Sequence, residues 1–161
     1  LPKGRTELER LVDADGKAMI DGERVYAVSY QGRVVSLNAT TGNEVWSKPI
    51  SSYNGVAVGS NQVYVANAEG EVVAFNQQNS NEVWRNEKLK YRRLSTPTTV
   101  RNMVVVSDFE GYLHFMSQVD GEIVARKYPD SDGIMGDVLT TGDMVYVYSR
   151  SGEIVAYRIF N

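Results

Sequence analysis

Val25-Tyr26-Ala27-Val28 recurs as Val63-Tyr64-Val65-Ala66, Val104-Val105-Val106-Ser107 and Val145-Tyr146-Val147-Tyr148, at offsets of 38, 41 and 41 residues. A glycine seven positions after the first valine recurs with it, as Gly32, Gly70, Gly111 and Gly152. Two landmarks that hold one spacing define an internal repeat of about forty residues. Each unit parses into short strands by alternation and turn chemistry. An inner segment (Ala18-Met19-Ile20, Val56-Ala57-Val58, Thr98-Thr99-Val100, Val138-Leu139-Thr140) ends at a polar turn (Asp21-Gly22, Ser60-Asn61, Arg101-Asn102, Gly142-Asp143). The Val-Tyr strand follows, and the recurrent glycine permits the positive φ of a tight hairpin. A third strand returns, and in the first three units a fourth carries Glu44-Val45-Trp46, Glu82-Val83-Trp84 or Glu122-Ile123-Val124. Four short antiparallel strands per unit predict an all-β fold, a β-propeller of about four four-stranded blades with the last incomplete.

The expected organisation is a lead-in over 1–17, blades over 18–52, 53–94 and 95–135, and an incomplete blade over 136–161. The third strands are apolar on both faces. Val34, Val72, Leu113 and Ile154 point one way, and Val35, Val73 and Val155 the other, so each sheet needs cover on both sides, as neighbouring blades provide. Ser36, Ala74 and Ala156 keep one position small, whereas Phe115 breaks the rule and demands different local packing. Trp46 and Trp84 occupy equivalent places and are expected to wedge between blades, since equivalence by repeat is a packing signature.

Composition narrows the function. Of 161 residues 42% are hydrophobic and 23% charged, a chain that builds a core. Seventeen basic against twenty acidic residues leave a net charge of −3, which disfavours a nucleic-acid or anionic-lipid footprint. Absence of cysteine excludes disulfides, thiolate zinc sites and thiol catalysis. No apolar run reaches the length of a membrane span, and Leu1-Pro2-Lys3-Gly4-Arg5 lacks the apolar segment of a secretory signal. Neither a nucleophile elbow nor a phosphate-cradling glycine loop is present. The expectation is a protein with no catalytic, cofactor or metal site.

Three polar features stand out. Asp13-Ala14-Asp15-Gly16, with Glu9 and Arg10 close by, pairs carboxylates that can accept charge-assisted bonds from a partner's Arg or Lys. A calcium-loop reading fails there because Leu11 and Gly22 stand where acids are needed. His114, the single histidine, sits in a predicted strand and is expected to be a satisfied interblade residue. Lys88-Leu89-Lys90-Tyr91-Arg92-Arg93-Leu94 is a basic cluster between two blades, a solvated loop or docking patch in preference to a phosphate grip.

The repeated phrase, with Thr-Gly-Asn-Glu-Val-Trp after it, resembles the PQQ-like repeat, which marks a blade without implying the quinone. Thr6 to Asp15, Val28 to Val34, Leu94-Ser95-Thr96-Pro97 and Asp108-Phe109-Glu110-Gly111-Tyr112-Leu113-His114-Phe115 together closely resemble the BamB family. This resemblance implies a non-enzymatic scaffold of the outer-membrane β-barrel assembly machinery. Members are eight-bladed periplasmic lipoproteins that dock onto the periplasmic repeats of the barrel-forming subunit. At this repeat length eight blades need ~330 residues, so the chain would be the C-terminal half. By the same resemblance Asp13 and Asp15, with Glu9 and Arg10, become candidate partner contacts. Unfolded outer-membrane proteins are further candidate partners. A half ring leaves blade faces and a strand edge uncovered, for which either self-association or a stabilising neighbour is the expectation. The rival readings are a PQQ-dependent dehydrogenase and a ligand-sensing propeller.

Overall fold

The computed structural model describes residues 16–29 and 32–160. They form fifteen strands in four antiparallel sheets. The first sheet runs β1 (Met19–Asp21), β2 (Arg24–Val28), β3 (Arg33–Asn38), β4 (Glu44–Pro49). The second runs β5 (Val56–Gly59), β6 (Gln62–Ala66), β7 (Val72–Asn76), β8 (Glu82–Asn86). The third runs β9 (Thr98–Val100), β10 (Met103–Ser107), β11 (Leu113–Ser117), β12 (Ile123–Lys127). The fourth has three strands, β13 (Ile134–Thr141), β14 (Met144–Ser149) and β15 (Ile154–Arg158). Every sheet is a plain meander, which is the blade that the repeat predicts.

One inner strand differs from its expected extent by more than one residue. β13 starts at Ile134, ahead of the predicted Val138-Leu139-Thr140, and its register with β14 shifts between Met135 and Leu139. Gly136 at φ 76° lies inside that interruption. A bulge of this kind lets a strand begin early and bend before it rejoins the ladder.

The core lies between sheets. Tyr26, Val34 and Trp46 of the first meet Val63, Val73 and Phe75 of the second. Tyr64, Ala74 and Trp84 of the second meet Val104, Val106 and Met116 of the third. Leu113 and Phe115 of the third meet Val138, Val145 and Val147 of the fourth. Alternate residues of one strand thus serve two interfaces, as period two requires.

Both tryptophans wedge between blades as expected. The Trp46 Nε1–H donates to the Gln77 carbonyl at 2.7 Å, and the Trp84 Nε1–H to the Gln118 carbonyl at 2.9 Å, each in the following sheet. Their room comes from the small residues opposite, Ser36 facing Trp46 and Ala74 facing Trp84 across the ladder. In the third sheet the pair is inverted, with Phe115 facing Ala125. Phe115 therefore occupies the space that a tryptophan takes in the other two blades, which accounts for its departure from the small-residue rule.

The turns closing these outer hairpins share one device. Gly42, Ser80 and Gly121 donate their N–H groups to the carbonyls of Asn38, Asn76 and Ser117, all three at positive φ (71°, 60° and 74°). Ser80 is the one with a Cβ. Left-handed backbone costs such a residue ~1–2 kcal/mol, while glycine gives back ~0.4–1 kcal/mol through the freer unfolded chain. Ser80→Gly is accordingly expected to stabilise the protein by about 0.5 kcal/mol, seen as a higher urea midpoint at unchanged slope. An unchanged or lower midpoint would contradict the strain argument.

Candidate docking end of the propeller

Antiparallel strands gather the β2–β3, β6–β7, β10–β11 and β14–β15 turns at one end, together with the connectors between sheets. Each turn is capped by a short polar residue at one repeat position, Ser29, Asn67, Asp108 or Ser149. The caps accept hydrogen bonds from the backbone N–H groups of Arg33, Glu71, Tyr112 and Glu153, which return the chain into the next strand. A second repeated bond ties connectors to turns. The N–H groups of Ala68, Phe109 and Arg150 donate to the carbonyls of Ser51, Arg92 and Gly133, so each connector is latched to the blade that follows it. Among the described residues, these bonds fix the second, third and fourth turns at this end to their connectors.

The connector between the second and third sheets carries most of the charge. Glu71, almost fully buried, pairs with Arg85 and with Lys90 at 2.8 Å, and takes the Asn67 amide at 2.8 Å. Burial raises the Glu71 carboxyl, but Lys90, Arg85 and Asn67 together outweigh it and hold the group below its ordinary value. Arg92 binds Asp108 at 2.5 Å and Glu110 at 2.5 Å. Asp108 is the only cap among the four that carries charge. Its Oδ1 receives the Glu110 and Tyr112 N–H groups, which frees Oδ2 for Arg92 and for the ring of His114 at 2.7 Å. Burial alone would raise Asp108, yet His114, Arg92 and the Tyr112 N–H lower it on balance.

His114 is 1% exposed and lies on the strand face it shares with Met116, toward the second sheet. Its interblade position is as expected, but its satisfaction is only half complete. Nε2 meets Asp108 of its own blade, while Nδ1 is buried with no hydrogen-bond partner. Burial is the dominant influence and keeps the ring below its ordinary value of 6.5 in spite of Asp108. The neutral ring donates from Nε2–H and leaves Nδ1 as a bare acceptor. Sequence reasoning missed this Arg92–Asp108–His114 cluster; the signal was the acid at a cap position filled elsewhere by Ser or Asn.

Glu9, Arg10, Asp13 and Asp15 lie outside the described residues. Gly16 abuts the backbone of Asn54 and Gly55, in the connector between the first two sheets. The basic cluster belongs to the same end, and three of its four cations are neutralised, Lys88 by Glu122, Lys90 by Glu71 and Glu87, Arg92 by Asp108 and Glu110. That pairing opposes a free phosphate grip. Among the described residues no group of three or more acids or histidines is placed to hold a metal.

A family profile described as outer membrane protein assembly factor BamB matches residues 1–86 and, in a second overlapping match, 55–160. The chain belongs to the BamB family. The BamB of Pseudomonas aeruginosa is 43% identical over 159 residues, spanning 99% of this chain and 42% of that protein. The crystal structure of BamB from Moraxella catarrhalis superposes with a TM-score of 0.85 at 27% identity, over 99% of this chain and 47% of that one. This chain therefore spans about two fifths of the length of the curated relatives it matches. A quinohemoprotein alcohol dehydrogenase from Comamonas testosteroni shares the fold alone, with a TM-score of 0.69 at 16% identity over 90% of this chain and 33% of that one.

Proposed function

We propose that this chain is part of a non-enzymatic scaffold subunit of the outer-membrane β-barrel assembly machinery. It works at the periplasmic face, in a protein tethered by lipid, and docks onto the periplasmic repeats of the barrel-forming subunit. The observation that carries this reading is the BamB match along nearly the whole chain. The connector end gives it a physical basis. Loops capped by Asn67, Asp108 and Ser149 and latched to the connector before them are already ordered, so docking loses little conformational entropy.

Asp13 and Asp15, with Glu9 and Arg10, are the proposed contacts. Gly16, the residue that follows Asp15 in sequence, packs on the neighbouring connector. In the full-length protein, Asp13→Lys combined with Asp15→Lys is expected to weaken binding to the purified periplasmic repeats by about tenfold or more, since it turns attraction into like-charge repulsion. Titration calorimetry at moderate salt measures this. Unaltered affinity in a folded double variant would refute the contact assignment.

A further inference from the structure

Of the four cations between residues 88 and 93, Arg93 alone has no carboxylate partner among the described residues. It is exposed and lines a cavity of about 510 Å³ together with Tyr53, Asn54, Asn67, Ala68 and Leu94. The cavity spans connectors on both sides of the second sheet, and its floor is rigid. The Asn54 side-chain amide donates to the Leu94 carbonyl at 2.7 Å, and Asn67 is the turn cap. Tyr53 is 54% exposed on its wall, and Tyr91, two residues before Arg93, is 84% exposed.

The backbone here is strained. Tyr91 and Arg93 both have positive φ, 67° and 47°, in a connector without glycine. Left-handed geometry at two bulky residues persists only where surrounding structure enforces it, and such outliers gather at binding sites. Tyr91 is held by its N–H bond to the Glu69 carbonyl at 2.8 Å, and Arg92 between the two is turned inward to Asp108. Arg93 is left facing outward, a planar fork of donors beside exposed tyrosine, which is the composition of an interface anchor.

We infer that this cavity is a docking site for an aspartate or glutamate side chain of a partner polypeptide, bound by the Arg93 guanidinium and flanked by Tyr53. The inference rests on the scaffold reading and names a contact of that same end. Charge complementarity selects the ligand: a guanidinium with no carboxylate partner among the described residues, in a partly enclosed pocket, favours a carboxylate, which it can take in two parallel bonds.

The test uses the full-length protein, the purified periplasmic repeats of the barrel-forming subunit, and anionic phosphatidylglycerol vesicles as separate probes. Arg93→Glu is expected to weaken binding to the repeats about tenfold and to leave vesicle association unchanged, while Arg93→Lys retains part of the affinity. Arg93→Gly separates binding from folding, because it relieves the positive φ. It is expected to raise the melting temperature while losing affinity as Arg93→Glu does. If the wild-type protein does not bind the repeats, the scaffold reading itself fails. If wild type binds and Arg93→Glu and Arg93→Gly bind equally well, the cavity assignment alone is overturned. Loss of vesicle association in place of repeat binding would make the ligand a lipid headgroup and overturn it too.

Discussion

Trp84→Ala is expected to lower the free energy of unfolding by about 3–5 kcal/mol, the range for removing a large buried aromatic. The indole is 8% exposed, packs beside Tyr64 with ring centroids 5.8 Å apart, and closes the interface between the second and third sheets. Its loss also removes one of the two donors to the Gln118 carbonyl, which keeps the Gln62 amide. Collapse around the hole is hindered, because Ala74 opposite is already small. Trp84→Phe is expected to cost less, as it keeps most of the volume and forfeits the hydrogen bond. Gly121 supplies an independent check on the same wedge, since a Cβ there would run into the Trp84 ring at a φ of 74°. Chemical denaturation of Trp84→Ala, Trp84→Phe and Gly121→Ala measures these differences. A loss below ~1 kcal/mol for Trp84→Ala would mean that the indole is not the wedge it is taken to be.

Asp108→Ala is the second large effect, again about 3–5 kcal/mol, the cost of breaking a buried ionic cluster by removing one member. Its carboxylate is fully buried, caps the β10–β11 turn and holds both Arg92 and His114. Asp108→Asn keeps an acceptor for the turn and separates the cap from the charge, so it is expected to be the milder change. The cluster also makes stability depend on pH. Burial holds His114 below 6.5, so the folded chain takes up its proton later than the unfolded one. Stability is complete above 6.5 and falls as pH drops below it toward the lowered folded value. The groups facing the ring, Asp108, Arg92, Tyr112 and Arg126, do not reverse the sign, because Asp108 is outweighed by burial and both cations oppose protonation. Asp108, also held low, adds a second decline below 3.8. Urea midpoints measured from pH 7.5 to 5 are expected to fall, and His114→Gln to flatten that slope. A wild-type midpoint constant across the range would count against the buried neutral histidine.

The blades were legible because their evidence is local and repeated. A glycine seven residues after a valine marks a hairpin whatever surrounds it, and Trp46 and Trp84 declare a shared environment by their shared place. Phe115 was readable as an exception, but its cause was not, since Ala125 faces it only once strand register is known. The charged connector was least legible. As a string, residues 88–93 are a basic run; in three dimensions Glu71, Asp108, Glu110 and Glu122 arrive from two sheets and neutralise most of it. Local patterning reports periodicity well and pairing between distant side chains poorly. His114 shows both sides of this, being correctly placed between blades while its half-satisfied ring depends on a partner supplied by a turn.

The connector that bears Arg93 is fastened on both sides. Lys90 and the Tyr91 N–H secure it to the second sheet, through Glu71 and the Glu69 carbonyl, while Arg92 secures it to the third through Asp108 and the Phe109 N–H. A pull exerted on this loop is therefore shared by two neighbouring blades and does not peel one outer strand. Mechanically the segment is a rivet between the second and third sheets.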